Sequence, residues 1–82
     1  MFLYINESLK DHQHYIGISR DPAKRLEQHN KGKVKSTKSR IPWVNIYTEK
    51  LKDTHSARER EKYLKSYSGV KEKRRIIQRY KK

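Results

Sequence analysis

The 82-residue chain has no cysteine, only three glycines and two prolines, and only nine acidic residues. Without cysteine there is neither a disulfide framework nor a thiolate zinc site. No apolar run approaches the ~20 residues of a membrane span. The apolar segment from Met1 to Ile5 is too short for a secretory signal. These absences are typical of a cytoplasmic protein, which is the location we expect.

Positive charge is what the chain has in excess. Twenty-two Lys and Arg residues oppose the nine acids and give a formal net charge of +13. Polyanions are the natural partners of such a chain, and nucleic acid is the commonest of them. Binding is expected to be mainly electrostatic and to weaken steeply with added salt. A ribosome-associated protein, or one that binds an anionic membrane surface, would carry similar charge, so charge alone indicates a partner and not an activity.

The chain is expected to fold despite its low hydrophobic fraction of 32%. Six Tyr, one Trp and one Phe, together with regular apolar stripes, argue against disorder. A chain of this length makes one domain, which we take to span residues 1–82. The sequence does not indicate an oligomeric state, and a monomer is assumed.

Three segments are rich in the residues that form β-strands. They are Phe2 to Ile5, Gln13 to Ser19 and Ile41 to Tyr47. The polar stretch from Asn6 to His12 is predicted to be a turn that joins the first two strands as an antiparallel hairpin. The basic segment from Lys33 to Arg40 has no periodicity and is predicted to be a loop.

The first helix has clear boundary residues. Asp21 can cap free N–H groups, and Pro22 is tolerated at the first helical position. The helix is predicted to end near Asn30 or Lys31, where Gly32 provides a C-terminal stop.

The helical periodicity divides this first helix into an inner face and a flank. Ala23, Leu26 and Asn30 are expected to face inward. Arg25 and His29 are four residues apart, so their side chains should lie next to each other on the flank.

Two more helices are predicted in the C-terminal part. The second begins at Asp53 or Thr54 and runs to about Tyr67, and Gly69 separates it from the third. The third helix has an apolar stripe formed by Val70, Ile76, Ile77 and Tyr80. The predicted fold is therefore α/β of the α+β type, with a small three-stranded antiparallel sheet flanked by about three helices.

A single carboxylate interrupts the apolar face of the second helix. Ala57, Leu64 and Tyr67 define that face, and Glu61 lies on it. A lone buried carboxylate is costly unless it is paired or binds a cation. Two interpretations are open: Glu61 pairs with a nearby Lys or Arg at the edge of the stripe, or it is a metal ligand.

An ordered set of residues resembles the GIY-YIG nucleases. Phe-Leu-Tyr ends at Tyr4, Tyr-Ile-Gly begins at Tyr15, and Arg25 is followed four residues later by His29. Glu61 on a later helix completes the pattern of this family. The likeness is to the small stand-alone subfamily related to the nuclease domain of the bacterial excision-repair endonuclease. Further positions that match it are Asn30, Gly32, Thr37, Pro42 and Trp43.

The resemblance implies an endonuclease that hydrolyses phosphodiester bonds in DNA with Mg²⁺ or Mn²⁺, in repair or recombination. It implies Glu61 as the metal ligand and Tyr4 as the general base, with Tyr15 orienting a water or phosphate. Arg25 would clamp phosphate oxygens, and His29 would hydrogen-bond Tyr4 or contact phosphate. From pattern alone two alternatives stay open: the tyrosines are more often ordinary strand aromatics, and Arg25 with His29 would also fit a solvated helix flank.

Substrate contacts are expected from the basic loop and from one glycine. Gly17 either relieves a bulge or lets the DNA backbone approach closely. The loop residues assigned to the substrate are Lys33, Lys35, Thr37, Lys38 and Arg40.

The sequence also supports a second interpretation, a non-catalytic nucleic-acid-binding module with the same fold. Many members of the family have an Asn shortly after the helix that bears the glutamate. Here that segment holds Lys71 to Arg75 instead.

Overall fold

The computed structural model describes Met1–Lys81, and one three-stranded sheet with three α-helices accounts for most of these residues. Lys82, the last residue of the predicted domain, lies outside the described residues. The strands are β1 (Phe2–Ser8), β2 (His14–Ser19) and β3 (Trp43–Lys50), and the helices are α1 (Pro22–Asn30), α2 (Thr54–Lys65) and α3 (Val70–Lys81). This confirms the predicted α+β architecture. No helix within residues 1–81 is long and apolar enough to cross a membrane.

The central strand of the sheet is β1, which pairs antiparallel with β2 on one side and β3 on the other. It continues to Ser8, so the turn predicted from Asn6 to His12 was wrong in its first three residues. A strand with neighbours on both sides keeps its backbone hydrogen bonds even where its side chains are polar. Its buried polar side chains also have partners: the Ser8 hydroxyl donates to the carbonyl oxygen of Arg40 at 2.6 Å.

One face of the sheet carries the apolar core. Leu3, Ile5 and Ile16 are buried on it, and Leu64 of α2 packs against them. Ile76 of α3 adds to the edge of this cluster. The helical periodicity that predicted apolar stripes on α2 and α3 therefore marks the surfaces that cover this face.

The other face carries the tyrosines. Residues paired across antiparallel strands share a face, and successive residues alternate. Tyr4 lies opposite Gly17, and Asn6 lies opposite Tyr15. All four therefore lie on the face opposite to the apolar core, because Ile5 separates Tyr4 from Asn6 along β1.

Both predicted helix starts are confirmed by their caps. The Asp21 carboxylate accepts a hydrogen bond from the Lys24 amide at 3.1 Å, and the Asp53 carboxylate accepts one from the Ser56 amide at 2.7 Å. Gly32 follows α1 with φ of +75°, a conformation that favours glycine.

Two predicted boundaries were displaced. β3 occupies Trp43–Lys50 instead of Ile41 to Tyr47, because it pairs with β1 along the whole of that strand. α2 ends at Lys65, and the following residue, Ser66, has extended backbone. Tyr67 therefore leaves the helical register and is 96% exposed, so its predicted place on the apolar face was wrong.

Candidate active site

Tyr4 lies directly over Gly17 on the tyrosine face. The Tyr4 side chain is almost wholly buried. A Cβ atom at position 17 would lie 2.5 Å from the Tyr4 hydroxyl oxygen and 2.7 Å from its Cζ. Gly17 is therefore required to make room for this ring. The space left by the missing side chain of Gly17 is therefore filled by the Tyr4 ring. Gly17 does not serve to relieve a bulge or to admit a DNA backbone.

A buried chain of hydrogen bonds connects Tyr4 to the loop after α1. The Tyr4 hydroxyl lies 3.0 Å from His29 Nε2, and His29 Nδ1 lies 2.8 Å from Thr37 Oγ1. The Thr37 hydroxyl in turn donates to the carbonyl oxygen of Val34 at 3.3 Å. Tyr4, His29 and Thr37 are all buried, so water does not compete for these bonds.

The last bond of this chain indicates the tautomer of His29. Because the Thr37 hydroxyl gives its proton to Val34, it accepts from an N–H at His29 Nδ1. His29 Nε2 then carries the lone pair and accepts from the Tyr4 hydroxyl. Burial, with a smaller contribution from the positive charge of Arg25, lowers the pKa of His29. The imidazole is therefore neutral near pH 7 and can accept a proton from Tyr4.

The predicted faces of α1 were exchanged in part. His29, expected on the flank, is 0% exposed, whereas Ala23, expected to face inward, is exposed. Asn30 does face inward. Its side chain donates to the carbonyl oxygen of Trp43 at 2.9 Å and accepts from the Trp43 amide at 2.6 Å. This double contact fixes the end of α1 against the start of β3 and so positions the neighbouring His29.

Aromatic rings enclose the imidazole. The Tyr15 ring lies edge-on to His29 with centroids 4.8 Å apart, and 6.2 Å from the Tyr4 ring. Trp43 is buried, and its Nε1 donates to the carbonyl oxygen of Thr37 at 3.0 Å. The rings exclude water from His29, and the indole holds Thr37 in place below it.

Arg25 lies near the hydroxyl of Tyr4. Burial raises the pKa of Tyr4 to about 12, the nearby positive guanidinium of Arg25 partly opposes this rise, and the proximity of Tyr15 and Glu61 adds to it. The guanidinium also donates to the Gln28 side chain at 3.0 Å. The structure thus places Tyr4 and Tyr15 on the two strands of the predicted hairpin, with Arg25 of α1 and Glu61 of α2 close enough to act on the Tyr4 hydroxyl.

Glu61 lies beside this cluster in an ion pair. Its Oε2 accepts from Lys65 Nζ at 2.8 Å, and the Lys65 ammonium lies 5.9 Å from the centroid of the Tyr15 ring. Ala57 and Leu64, its neighbours on the helix face, are fully buried, while the Glu61 side chain keeps 24% of its surface exposed. The pairing with a Lys is one of the two interpretations left open by the sequence. Lys65 was not singled out, although its spacing of four residues from Glu61 is the signal for such a pair.

Glu61 is the residue that could hold a metal ion. Among residues 1–81 no group of three or more His, Cys, Asp and Glu side chains assembles into a metal site. A single, partly exposed carboxylate suits Mg²⁺ or Mn²⁺, because Mg²⁺ keeps several of its water ligands. It does not suit a structural zinc ion, which takes four protein ligands. The donor set therefore fits the ion implied by the resemblance.

The basic loop borders the site through Thr37. Lys33, Lys35, Lys38 and Arg40 are exposed, and Arg40 pairs with Asp11 at 3.3 Å. Thr37 differs from its neighbours because it is buried against His29. The loop thus presents its cations to solvent, and its predicted substrate contact at Thr37 is replaced by a contact with the imidazole.

Comparison of the chain with known protein families and structures identifies its family. The family model described as the GIY-YIG catalytic domain matches residues 1–76. No curated protein and no solved structure matches at a significant level. The matched region contains the sheet, the tyrosine pair, Arg25, His29 and Glu61, and it covers nearly the whole chain. The chain therefore belongs to the GIY-YIG family, whose domains are generally nucleases that act on nucleic acid.

Proposed function

We propose that this protein is a divalent-metal-dependent endonuclease that hydrolyses phosphodiester bonds in DNA. The observation that supports this most directly is the buried chain from Tyr4 through His29 to Thr37. A hydroxyl aligned on a neutral imidazole of fixed tautomer is an arrangement for moving a proton. Arg25 and Glu61 lie beside it, and both are suited to phosphate chemistry.

The first task of the site is to activate a water molecule. The water oxygen bonds to phosphorus while its proton passes to the Tyr4 oxygen and the Tyr4 proton passes to His29 Nε2. Since burial raises the pKa of Tyr4 to about 12, a free tyrosinate would be costly there. Passing the proton on to His29 avoids that state, because Tyr4 remains neutral and the charge appears on the imidazole.

The second task is to stabilise charge on the phosphate and on the leaving oxygen. The Arg25 guanidinium can bind two phosphate oxygens with parallel N–H donors. A divalent ion held by Glu61 would supply Lewis-acid stabilisation and ease departure of the leaving oxygen. The P–O bond breaks with its electron pair on that oxygen, which then takes a proton from solvent. Tyr15, next to His29 and less buried than Tyr4, orients the attacking water.

DNA as the substrate, a role in repair or recombination, and a cytoplasmic location are parts of the same proposal. The net charge of +13 and the exposed cations of the loop support a polyanionic substrate. The chain acts as a monomer in this proposal, since each residue of the site comes from one copy.

A plasmid-nicking assay tests the proposal. The wild type should nick supercoiled DNA with Mg²⁺ or Mn²⁺ and stop when the ion is chelated. Glu61→Gln should lower the rate by about 100-fold or more, since an ion's charge stabilisation is worth several kcal/mol. Glu59→Gln is the matched control, because Glu59 is an exposed carboxylate on the same helix. Equal rates for the two folded variants would contradict the role of Glu61.

The assay also separates the alternative function. A non-catalytic binding module would bind DNA with the same salt dependence and would nick it under none of these conditions. Its DNA binding would require the cations of the basic loop, whereas replacing Tyr4 or Glu61 in a folded variant would leave the affinity for DNA unchanged.

A further inference from the structure

The chain contains two Glu–Lys pairs with the same helical spacing. Glu27 and Lys31 on α1 lie 2.8 Å apart, as do Glu61 and Lys65 on α2. The first pair is a solvated one, with side chains 63% and 58% exposed. The second differs in its surroundings, because Glu61 is largely covered and Lys65 lies over a ring of the site. The spacing of four residues explains why both pairs form, but only the second pair lies next to the candidate active site.

Lys65 occupies the border between the carboxylate and the tyrosines. Its ammonium contacts Glu61 Oε2 and lies 5.9 Å from the centroid of the Tyr15 ring, whose own centroid is 6.2 Å from that of Tyr4. Arg25 acts on the Tyr4 hydroxyl from α1. Two positive side chains, from two different helices, therefore reach the tyrosine pair.

The two cations differ in whether an acidic side chain neutralises their charge. The Arg25 guanidinium donates to the uncharged Gln28 side chain, so its charge is free to bind a phosphate. The Lys65 charge is compensated by Glu61. A hard divalent ion held by the Glu61 carboxylate would bring positive charge next to the Lys65 ammonium, and the repulsion would weaken or break the contact between Lys65 and Glu61. Displacement frees Lys65 beside Tyr15, at the end of a flexible four-carbon stem.

We propose that Lys65 is a further catalytic residue, which exchanges its contact with Glu61 for a non-bridging oxygen of the scissile phosphate when the metal ion binds. This inference rests on the proposed nuclease function. Before the exchange, Lys65 balances the Glu61 charge and competes with the ion. After it, Lys65 and Arg25 bind the phosphate together.

The competition is measured without DNA, by titrating the purified wild-type protein with Mn²⁺ and following the free ion by electron paramagnetic resonance. Lys65→Met keeps most of the apolar stem and removes the charge. Partly exposed pairs contribute modestly, so we expect Lys65→Met to bind Mn²⁺ about two- to fivefold more tightly than the wild type. Lys62→Met is the matched control: Lys62 is exposed on the same helix and forms no ion pair among the described residues. It should bind as the wild type does.

Cleavage should change in the opposite direction. At saturating Mn²⁺, Lys65→Met should lower kcat by roughly 100-fold, as expected for removing one charge-stabilising donor from a transition state. Lys65→Arg should retain part of the rate because it keeps the charge. Lys62→Met should cleave at the wild-type rate. Tighter metal binding combined with slower cleavage is a result that a purely structural ion pair would not give.

Each contrary outcome has a separate meaning. Unchanged Mn²⁺ affinity in Lys65→Met would overturn the exchange, and so would tighter binding with a wild-type kcat. If Glu61→Gln bound Mn²⁺ as the wild type does, the metal site itself would be misplaced, and the inference would fail with it. If the Mn²⁺ titrations behaved as expected while the wild type left DNA uncut, the proposed nuclease function would fail and the catalytic role of Lys65 with it, although the competition for Glu61 would stand.

Discussion

The two faces of the three-stranded sheet are equally buried at their centre but differ in chemistry. On one face Leu3, Ile5 and Ile16 meet Leu64 in an apolar cluster. On the other face Tyr4 meets His29 through a hydrogen bond. Successive residues of one strand, β1, supply both faces, so the same seven residues serve packing and chemistry at once.

The difference indicates which face should govern stability and which should govern the proposed activity. The apolar face makes many non-directional contacts, and its contribution scales with buried area. The polar face makes few contacts, and each depends on the position of a particular atom. Substitutions on the first face should therefore act mainly on the free energy of unfolding, and substitutions on the second mainly on the rate of cleavage. Four predictions test this division.

The largest effect is expected on the apolar face. Leu64→Ala removes a fully buried side chain and should lower the free energy of unfolding by about 3 kcal/mol. Urea denaturation followed by circular dichroism measures it. Leu9→Ala, at an exposed leucine, is the control and should change stability little. A small loss in Leu64→Ala would mean that the cluster is not the main source of stability.

The second prediction compares two tyrosine hydroxyls that lie on opposite faces of the sheet. Tyr4→Phe removes the bond to His29 and should lower kcat by about 100-fold, since the proton path is cut. Tyr47→Phe removes a 2.7 Å bond to Glu49 and should cost about 1 kcal/mol of stability with cleavage unchanged. Nicking rates and melting curves are measured on both variants. Similar nicking rates would show that Tyr4 has no special role.

A smaller effect is expected at Thr37. Thr37→Val keeps the shape but leaves the His29 Nδ1 proton without its acceptor, which should lower kcat about tenfold through the lost hydrogen bond. Thr37→Ser retains the hydroxyl and should restore most of the rate. KM should be the same in both variants because Thr37 is buried and does not reach substrate. Equal losses in the two variants would favour a packing role.

The smallest effect is on the acid limb of the pH profile. Only neutral His29 accepts a proton, and its folded pKa is lowered from 6.5, mainly by burial. Cleavage should therefore persist as the pH falls through 6.5 and decline only below it. The unfolded chain takes up this proton near pH 6.5, so stability falls as the pH falls below that value. Circular dichroism at each pH separates loss of activity from unfolding, and an acid limb above pH 6.5 would contradict the assignment.

Much of the fold could be predicted because its signals are local. Asp21 and Asp53 cap their helices as expected, and Gly32 follows the first one. The polar end of β1 could not be predicted, because Glu7 and Ser8 have no strand signal of their own: Glu7 pairs with both neighbouring strands and Ser8 with β3. Tertiary pairing overrode propensity there.

The site was predicted from motif order, and its geometry depended on contacts that the sequence does not show. Arg25 and His29 look equivalent on a helical wheel, but the sheet covers only His29. Thr37 looks like a surface residue of a basic loop until the fold brings it under the imidazole. The pairing of Lys65 with Glu61 follows from spacing alone, whereas its position over Tyr15 does not.

The double hydrogen bond between Asn30 and Trp43 has a consequence for how the loop can vary in length. It joins the two ends of the loop, and Thr37 anchors the middle. Residues added between these anchors, for example at exposed Ser39, need not move His29. Closing a loop of twice the length costs only about 0.6 kcal/mol. The loop can therefore gain residues and present a different exposed surface, while the hydrogen-bond chain beneath it stays the same.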